Sequence, residues 1–145
     1  MQRRNLRRSR KDKGNVLVEA AFTLLSVLSL LIGVFDFGQF LFIHQALVER
    51  VRASARWGAI YSPGNTTSVQ NMVLYNSATD PGNNTKGYMG MTSSMVSVTI
   101  PDSGTDNQRM LIKLQNYPYK ILSPFIGGSY TGPDITISMP LGPPD

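Results

Sequence analysis

The residues with the most chemistry to offer stand close together near the N-terminus. Gly14-Asn15 is followed by Val16-Leu17-Val18 and then Glu19. On a helix, Asn15 and Glu19 lie one turn apart on nearly the same face. Hydrolysis of the bond between Gly14 and Asn15 would free an α-amine on Asn15. That amine could pair with the Glu19 carboxylate of its own chain, or with that of a staggered neighbour. The carboxylate needs such an account because its surroundings are apolar. Between Asn15 and Ile43, 29 residues, the only charges are Glu19 and Asp36, and Ala20 to Phe35 has none. An acid at the centre of a bilayer costs about 2.5–3.5 kcal/mol on insertion scales. Glu19 lies only about 7 Å along a helix axis from Gly14, so it reaches the near interface. Asp36 meets the headgroups at the far end.

Other reactive groupings are sparse. Cys is absent, which excludes disulfides, thiolate nucleophiles and Cys-based metal sites. His44 is the one histidine, and a single imidazole at the end of an apolar run reads as neither a metal ligand nor a catalytic base. Asp102, Asp106 and Asn107 sit in a Gly-containing connection but lack the full oxygen set and terminal bidentate Glu of a calcium loop, so a hairpin turn is expected. Asn65-Thr66-Thr67 and Asn83-Asn84-Thr85 have the form of glycosylation sequons. No phosphate-cradling glycine motif or nucleophile–base pair is present. The chain therefore reads as a non-enzyme with no cofactor, no metal and no small-molecule substrate.

The elements that must position Gly14, Asn15 and Glu19 follow from charge and hydropathy. Residues 1–14 carry seven basic residues and one acid, a net charge of +6, while the whole chain is +5, so residues 15–145 sum to −1. The basic character belongs to the leader and not to a folded surface. Placed against an apolar run, it reads as the positive-inside signal that keeps an N-terminus cytoplasmic, not as a nucleic-acid-binding arm. As a helix, Asn15 to Ile43 extends roughly 43 Å against a hydrocarbon core of about 30 Å, so a transmembrane helix is expected over 15–43. Within it Ser26, Ser29 and Gly33, with Gly38 about a turn and a half on, are small residues suited to helix–helix packing.

Beyond the span, Ile43, Leu47, Val51, Ala55 and Gly58 recur at helical spacing, so the helix is expected to continue outward over 44–60. Glu49 and Arg52 can pair along it. Arg50, Arg52 and Arg56 form a basic cluster, either a solvated face or a docking surface for a partner subunit's acids. Trp57 and Tyr61 suit core packing or an interfacial anchor. Residues 61–145 read as a small extracytoplasmic α+β domain. Tyr61 to Asn65 is a turn, Thr67 caps a short second helix through Tyr75, and 77–93 is an exposed loop. Alternation marks strands at Val96–Ile100, Arg109–Tyr117 and Ile135–Met139. Pro118, Pro124, Gly127 and Gly128 punctuate an irregular crossover, and Pro140 to Pro144 close the chain. The expected fold class is α+β, a long N-terminal helix packed against a small antiparallel sheet with a short second helix.

At Gly14, Val18-Glu19, the aliphatic run to Ile32, Gly33-Val-Phe-Asp36-Phe-Gly38, Gln45-Ala-Leu47 and Arg52-Ala-Ser-Ala-Arg56-Trp-Gly58, the chain resembles the TadE-like family of tight-adherence (Tad/Flp) pilus systems. Its N-terminus is similar to that of class III type IV prepilins. Ala20 and Asn15 depart from the pattern, which usually has an aromatic after the Glu and a hydrophobic residue at the first mature position. The resemblance covers about a third of the chain. It implies cleavage between Gly14 and Asn15 by a prepilin peptidase, export through the Tad apparatus, and a minor-pilin or pseudopilin role with other pilus subunits and the assembly machinery. It implies a bacterial inner-membrane location, single-pass, N-terminus cytoplasmic and C-terminal domain extracytoplasmic, with passage into a pilus after processing. The alternative is an uncleaved single-pass anchor that presents an extracytoplasmic binding domain.

Overall fold

The computed structural model describes residues 5–82, 85–120 and 128–142. The chain divides into two compact units, Met1–Gln39 with Leu122–Gly127, and Phe40–Ile121 with Gly128–Asp145. Helix α1 runs from Asn5 to Tyr61, 57 residues. No proline falls within it, so nothing interrupts its hydrogen-bond ladder. It stops where Ser62-Pro63-Gly64 follows: the Ser62 N–H returns to the Gly58 carbonyl, and Gly64 adopts φ +86°. From Gly14 to Gln39 every side chain of α1 is exposed except Ile32 and Asp36, which are half-covered. This part of α1 is long and apolar enough to cross a membrane.

The second unit is built on α1 from Phe40 onward. Leu47, Val51 and Ala55, four residues apart and fully buried, make the helix's contribution to the core. Helix α2 spans Thr66–Tyr75 and supplies Val69, Val73 and Leu74. Its cap is Asn65, whose side chain accepts from the Ser68 N–H, and not Thr67. Both residues are good caps by type, but the chain turns into the helix two residues earlier than the sequence suggests.

Three strands form one antiparallel sheet in the order β1-β2-β5, with β1 Val96–Thr99, β2 Arg109–Leu114 and β5 Ile135–Pro140. Val98 pairs with Ile112, which in turn pairs with Ile137. Period-two alternation puts Met110, Ile112 and Leu114 on the core side, all fully buried or nearly so. Full burial of such a side chain is worth about 1.5–3 kcal/mol, and with Cys absent this packing holds the unit together.

Three expectations need correction. The second strand ends at Leu114 and not Tyr117, because Asn116 adopts a left-handed φ of 57°. The expected crossover contains two further strands, β3 Pro118–Lys120 and β4 Ser129–Thr131, paired antiparallel as a separate sheet. Pro118 opens β3, a position a strand tolerates because the missing N–H falls at its start. Residues 77–93 are also not a uniformly exposed loop: Gly87 and Met91 are buried, around a short 3-10 turn at Tyr88–Gly90. Pro124, Gly127 and Pro144, the Asn83-Asn84 part of the second sequon and Met1 to Arg4 lie outside the described residues.

Candidate functional site

The Gly14–Asn15 bond lies inside the helical run of α1. A glycine at this position weakens the helix locally by roughly 0.5–1 kcal/mol relative to alanine. Gly14 is exposed, and a methyl added to it would meet nothing within 4 Å. Glu19 is exposed one turn further on. Its backbone carbonyl accepts a second bond, from the Thr23 hydroxyl at 2.9 Å. Ser26 and Ser29 donate in the same way to the Phe22 and Leu25 carbonyls, at 2.9 and 2.8 Å. The three hydroxyl donors are thus spent within the helix, which is compatible with a segment able to cross a membrane. Gly33 and Gly38 are open on their outer side. At 100° per residue Gly38 stands about 140° round the axis from Gly33, so Ser26, Ser29 and Gly33 share a face that Gly38 does not.

The three arginines of α1 do different things. Arg50 turns inward. Its Nε donates to the Val73 carbonyl at 3.0 Å and its Nη1 to Asn76 Oδ1 at 2.8 Å. Its guanidinium also lies 5.0 Å from the centre of the Tyr88 ring. Asn76 is the left-handed C-cap of α2, so Arg50 ties the end of α2 and the Tyr88 turn to α1. Burial pulls its pKa below the usual arginine value, and the Tyr88 phenol pulls it the other way; an arginine remains a cation under either influence. Arg50 therefore leaves the expected docking cluster. Arg52 is held by Glu49 at 2.7 Å, an exposed i,i+3 pair, and such pairs contribute little. Arg56 is exposed. Trp57 is half-buried against the core, while Tyr61 is exposed, its ring 6.2 Å from that of Trp57.

A grouping the sequence did not reveal surrounds His44. Its Nδ1 lies 2.9 Å from the Tyr119 hydroxyl. Phe40 stacks on the imidazole at 5.9 Å and meets the Tyr119 ring at 4.6 Å. Tyr117 packs edge-on to Tyr119 at 4.9 Å, and its hydroxyl donates to the Met89 carbonyl at 2.7 Å. Burial pushes both phenols above the usual tyrosine value, with Tyr117 adding to the effect on Tyr119. The only hint in the sequence was Tyr117-Pro118-Tyr119, and nothing local links it to a helix 75 residues earlier. Gly132 completes the packing: a side chain there would enter the Tyr119 ring. Asp102, Asp106 and Asn107 form a turn whose bonds are local, Thr105 N–H to Asp102 and Gln108 N–H to Thr105. Among the described residues no three His, Cys, Asp or Glu side chains gather into a metal-binding group.

Residues 14–56 match the family model described as TadE-like protein. Comparison with curated proteins and with solved structures gives no match. The matched segment begins at Gly14, takes in Glu19, Asp36 and His44, and ends at Arg56. It is the family that the residues resemble, and it covers the part of α1 from the apolar run through the core-forming turns.

Proposed function

We propose that the chain is a TadE-like minor pilin or pseudopilin, anchored in the bacterial inner membrane by α1 and taking part in assembly of a Tad pilus. The observation that carries this reading is the extent of the family match. It starts at Gly14 and runs through the exposed apolar stretch into the buried Leu47 and Val51 turns. One segment thus holds the processing glycine, Glu19 and the helix that carries the folded unit. In this reading the leader stays on the cytoplasmic side, a prepilin peptidase cuts after Gly14, and the new Asn15 amine pairs with a Glu19 carboxylate. Loss of most of the basic leader then eases the passage of α1 from lipid into a helical assembly with other Tad subunits.

The test is the N-terminus of the protein purified from membranes of a cell expressing the Tad machinery. Mass spectrometry is expected to find a chain beginning at Asn15. A chain retaining Met1 in the presence of active peptidase would instead support an uncleaved anchor presenting its extracytoplasmic domain.

A further inference from the structure

Most acids of the folded unit from Phe40 onward are spent within it. Among the described residues, Glu49 pairs with Arg52, Asp134 pairs with Lys113, and Asp80 accepts from the Gly82 N–H. Asp102 and Asp106 are both exposed and make no ion pair among the described residues. They stand in the connection between β1 and β2, where residues 101–108 contain two acids and no base. Pro101 beside them is exposed as well. Arg109, which follows, leaves 101–109 with two acids against one base, a net charge of −1. On α1, Arg50 is turned inward and Arg52 is held by Glu49, while Arg56 is exposed and makes no ion pair among the described residues.

Packing within this unit sets the level of the β1–β2 connection along α1. Met110 lies against Gly58, and Tyr119 bonds to His44. The chain from β2 to β3 therefore runs antiparallel to α1. Residues 101–108 precede it, so they lie at or beyond the level of Gly58, toward Tyr61. The Arg109 N–H closes the connection on the Pro101 carbonyl at 3.4 Å. Arg56 is about 3 Å from Gly58 along the helix axis, but two residues turn the helix by about 200°. Gly58 faces the sheet, so Arg56 faces away from it. Ile60, the next residue on the stripe of Arg56, is 70% exposed. At similar levels the unit thus carries a cation beside an apolar side chain on one flank, and two carboxylates beside a proline on the other.

We propose that these flanks are the two halves of an interface between copies of this chain. Arg56 and Ile60 of one copy receive Asp102, Asp106 and Pro101 of a second, set beside it with the Phe40–Tyr61 parts of α1 parallel. The occupant is a second copy because one chain carries both halves at matching levels, so parallel neighbours meet without axial displacement. A twofold pair would instead set like flank against like, Arg56 facing Arg56. The contact is therefore head-to-tail, and each pair leaves a half open on either side for a further copy. An exposed ion pair contributes little by itself, so the cover of Ile60 and confinement of the copies to one membrane supply the rest. The proposal rests on the reading of the chain as a membrane-anchored pilus subunit. Its test uses the full, uncleaved chain, so its failure leaves cleavage after Gly14 to be judged by the N-terminus alone.

Because the chain lacks Cys, single cysteines beside the charges report the contact. Ala53 and Ser103 are both exposed. Differently tagged Ala53→Cys and Ser103→Cys copies are reconstituted together in phosphatidylcholine vesicles and treated with a short bismaleimide. Cross-links between the two kinds are expected to exceed those within either kind several-fold. Arg56→Glu in the Ala53→Cys copy should lower their yield several-fold, and high salt should do the same by screening. Asp102→Asn with Asp106→Lys in the Ser103→Cys copy should then restore it. Asn is chosen at Asp102 because it tolerates the left-handed φ of 57° there. Near-ultraviolet circular dichroism checks that each variant is folded. Yields that are negligible, or unmoved by Arg56→Glu, would overturn the interface. So would a predominance of links between two Ala53→Cys copies, which marks a twofold pair, or a loss with Arg56→Glu that the reversed acids fail to restore.

Discussion

His44 Nδ1 and the Tyr119 hydroxyl lie 2.9 Å apart across 75 positions of sequence. This bond gives the one histidine a structural partner and joins the β3–β4 ribbon to α1. Tyr119 is 2% exposed and also packs on Phe40 and Tyr117. Removing only its hydroxyl leaves the ring contacts and deprives a half-buried imidazole of its partner. Tyr119→Phe should lower stability by about 1 kcal/mol, the net worth of a typical hydrogen bond. Tyr119→Ala should cost about 3–5 kcal/mol, as for other buried aromatics. Urea unfolding of the full chain in detergent, followed by near-ultraviolet circular dichroism, measures both.

The same tyrosines make stability depend on alkaline pH. Tyr117 and Tyr119 hold their protons more tightly in the folded unit, because burial disfavours the phenolate. Above the ordinary tyrosine pKa of about 10, the unfolded chain releases these protons before the folded one does. The unfolded state then binds fewer protons, so stability falls as pH rises. The contribution is fully present below about pH 10. The urea midpoint should fall steeply as pH rises beyond that point, and Tyr117→Phe with Tyr119→Phe should flatten the fall. An equally steep fall in the double variant would assign it to other groups.

Arg50 and Arg56 provide a paired comparison. Arg50→Ala withdraws donors from the Val73 carbonyl and Asn76 and removes the cation beside Tyr88. Leaving such acceptors unsatisfied should cost about 1–3 kcal/mol. Arg50→Lys should recover only part of this, since an ammonium cannot reproduce the planar fork. Arg56→Ala should leave the unfolding midpoint unchanged. If Arg56 meets a partner subunit's acid, its loss should appear instead as weaker co-purification of Tad subunits.

Gly58 faces Val69 and Met110. A Cβ there would stand 2.5 Å from Val69 Cγ2 and 3.0 Å from the Met110 side chain. It thereby lets α2 and β2 both close on α1. Gly58→Ala should destabilise the unit by about 1–3 kcal/mol, the usual cost of overpacking, whereas Gly33→Ala meets open space. Thermal unfolding of the two variants in one detergent should separate them clearly.

The processing proposal makes its own prediction. Gly14→Leu should block cleavage while α1 still inserts, giving a membrane protein that retains Met1. Glu19→Leu should insert as well or better, because it removes a charge from an apolar run, yet it should impair pilus assembly. Membrane fractionation reads insertion and pilus shearing reads assembly. Normal piliation with Glu19→Leu would remove the reason for pairing that acid with an amine.

The sequence by itself determined what depends on neighbours along the chain. The apolar run without proline sets α1, and alternation sets the inward faces of β1, β2 and β5, as Met110, Ile112 and Leu114 show. The ordered residues from Gly14 to Arg56 carry the family match. These signals are legible because a helix repeats every 3.6 residues and a strand every two. Only the tertiary structure decided which of three similar arginines turns inward, since Arg50 is chosen by the position of the α2 C-cap. It alone joined His44 to Tyr119, turned an expected crossover into the β3–β4 ribbon, and showed that Gly58 is a point of close approach. Each of these depends on contacts between residues far apart in sequence. Such contacts are set by how the elements pack, and no local pattern records them.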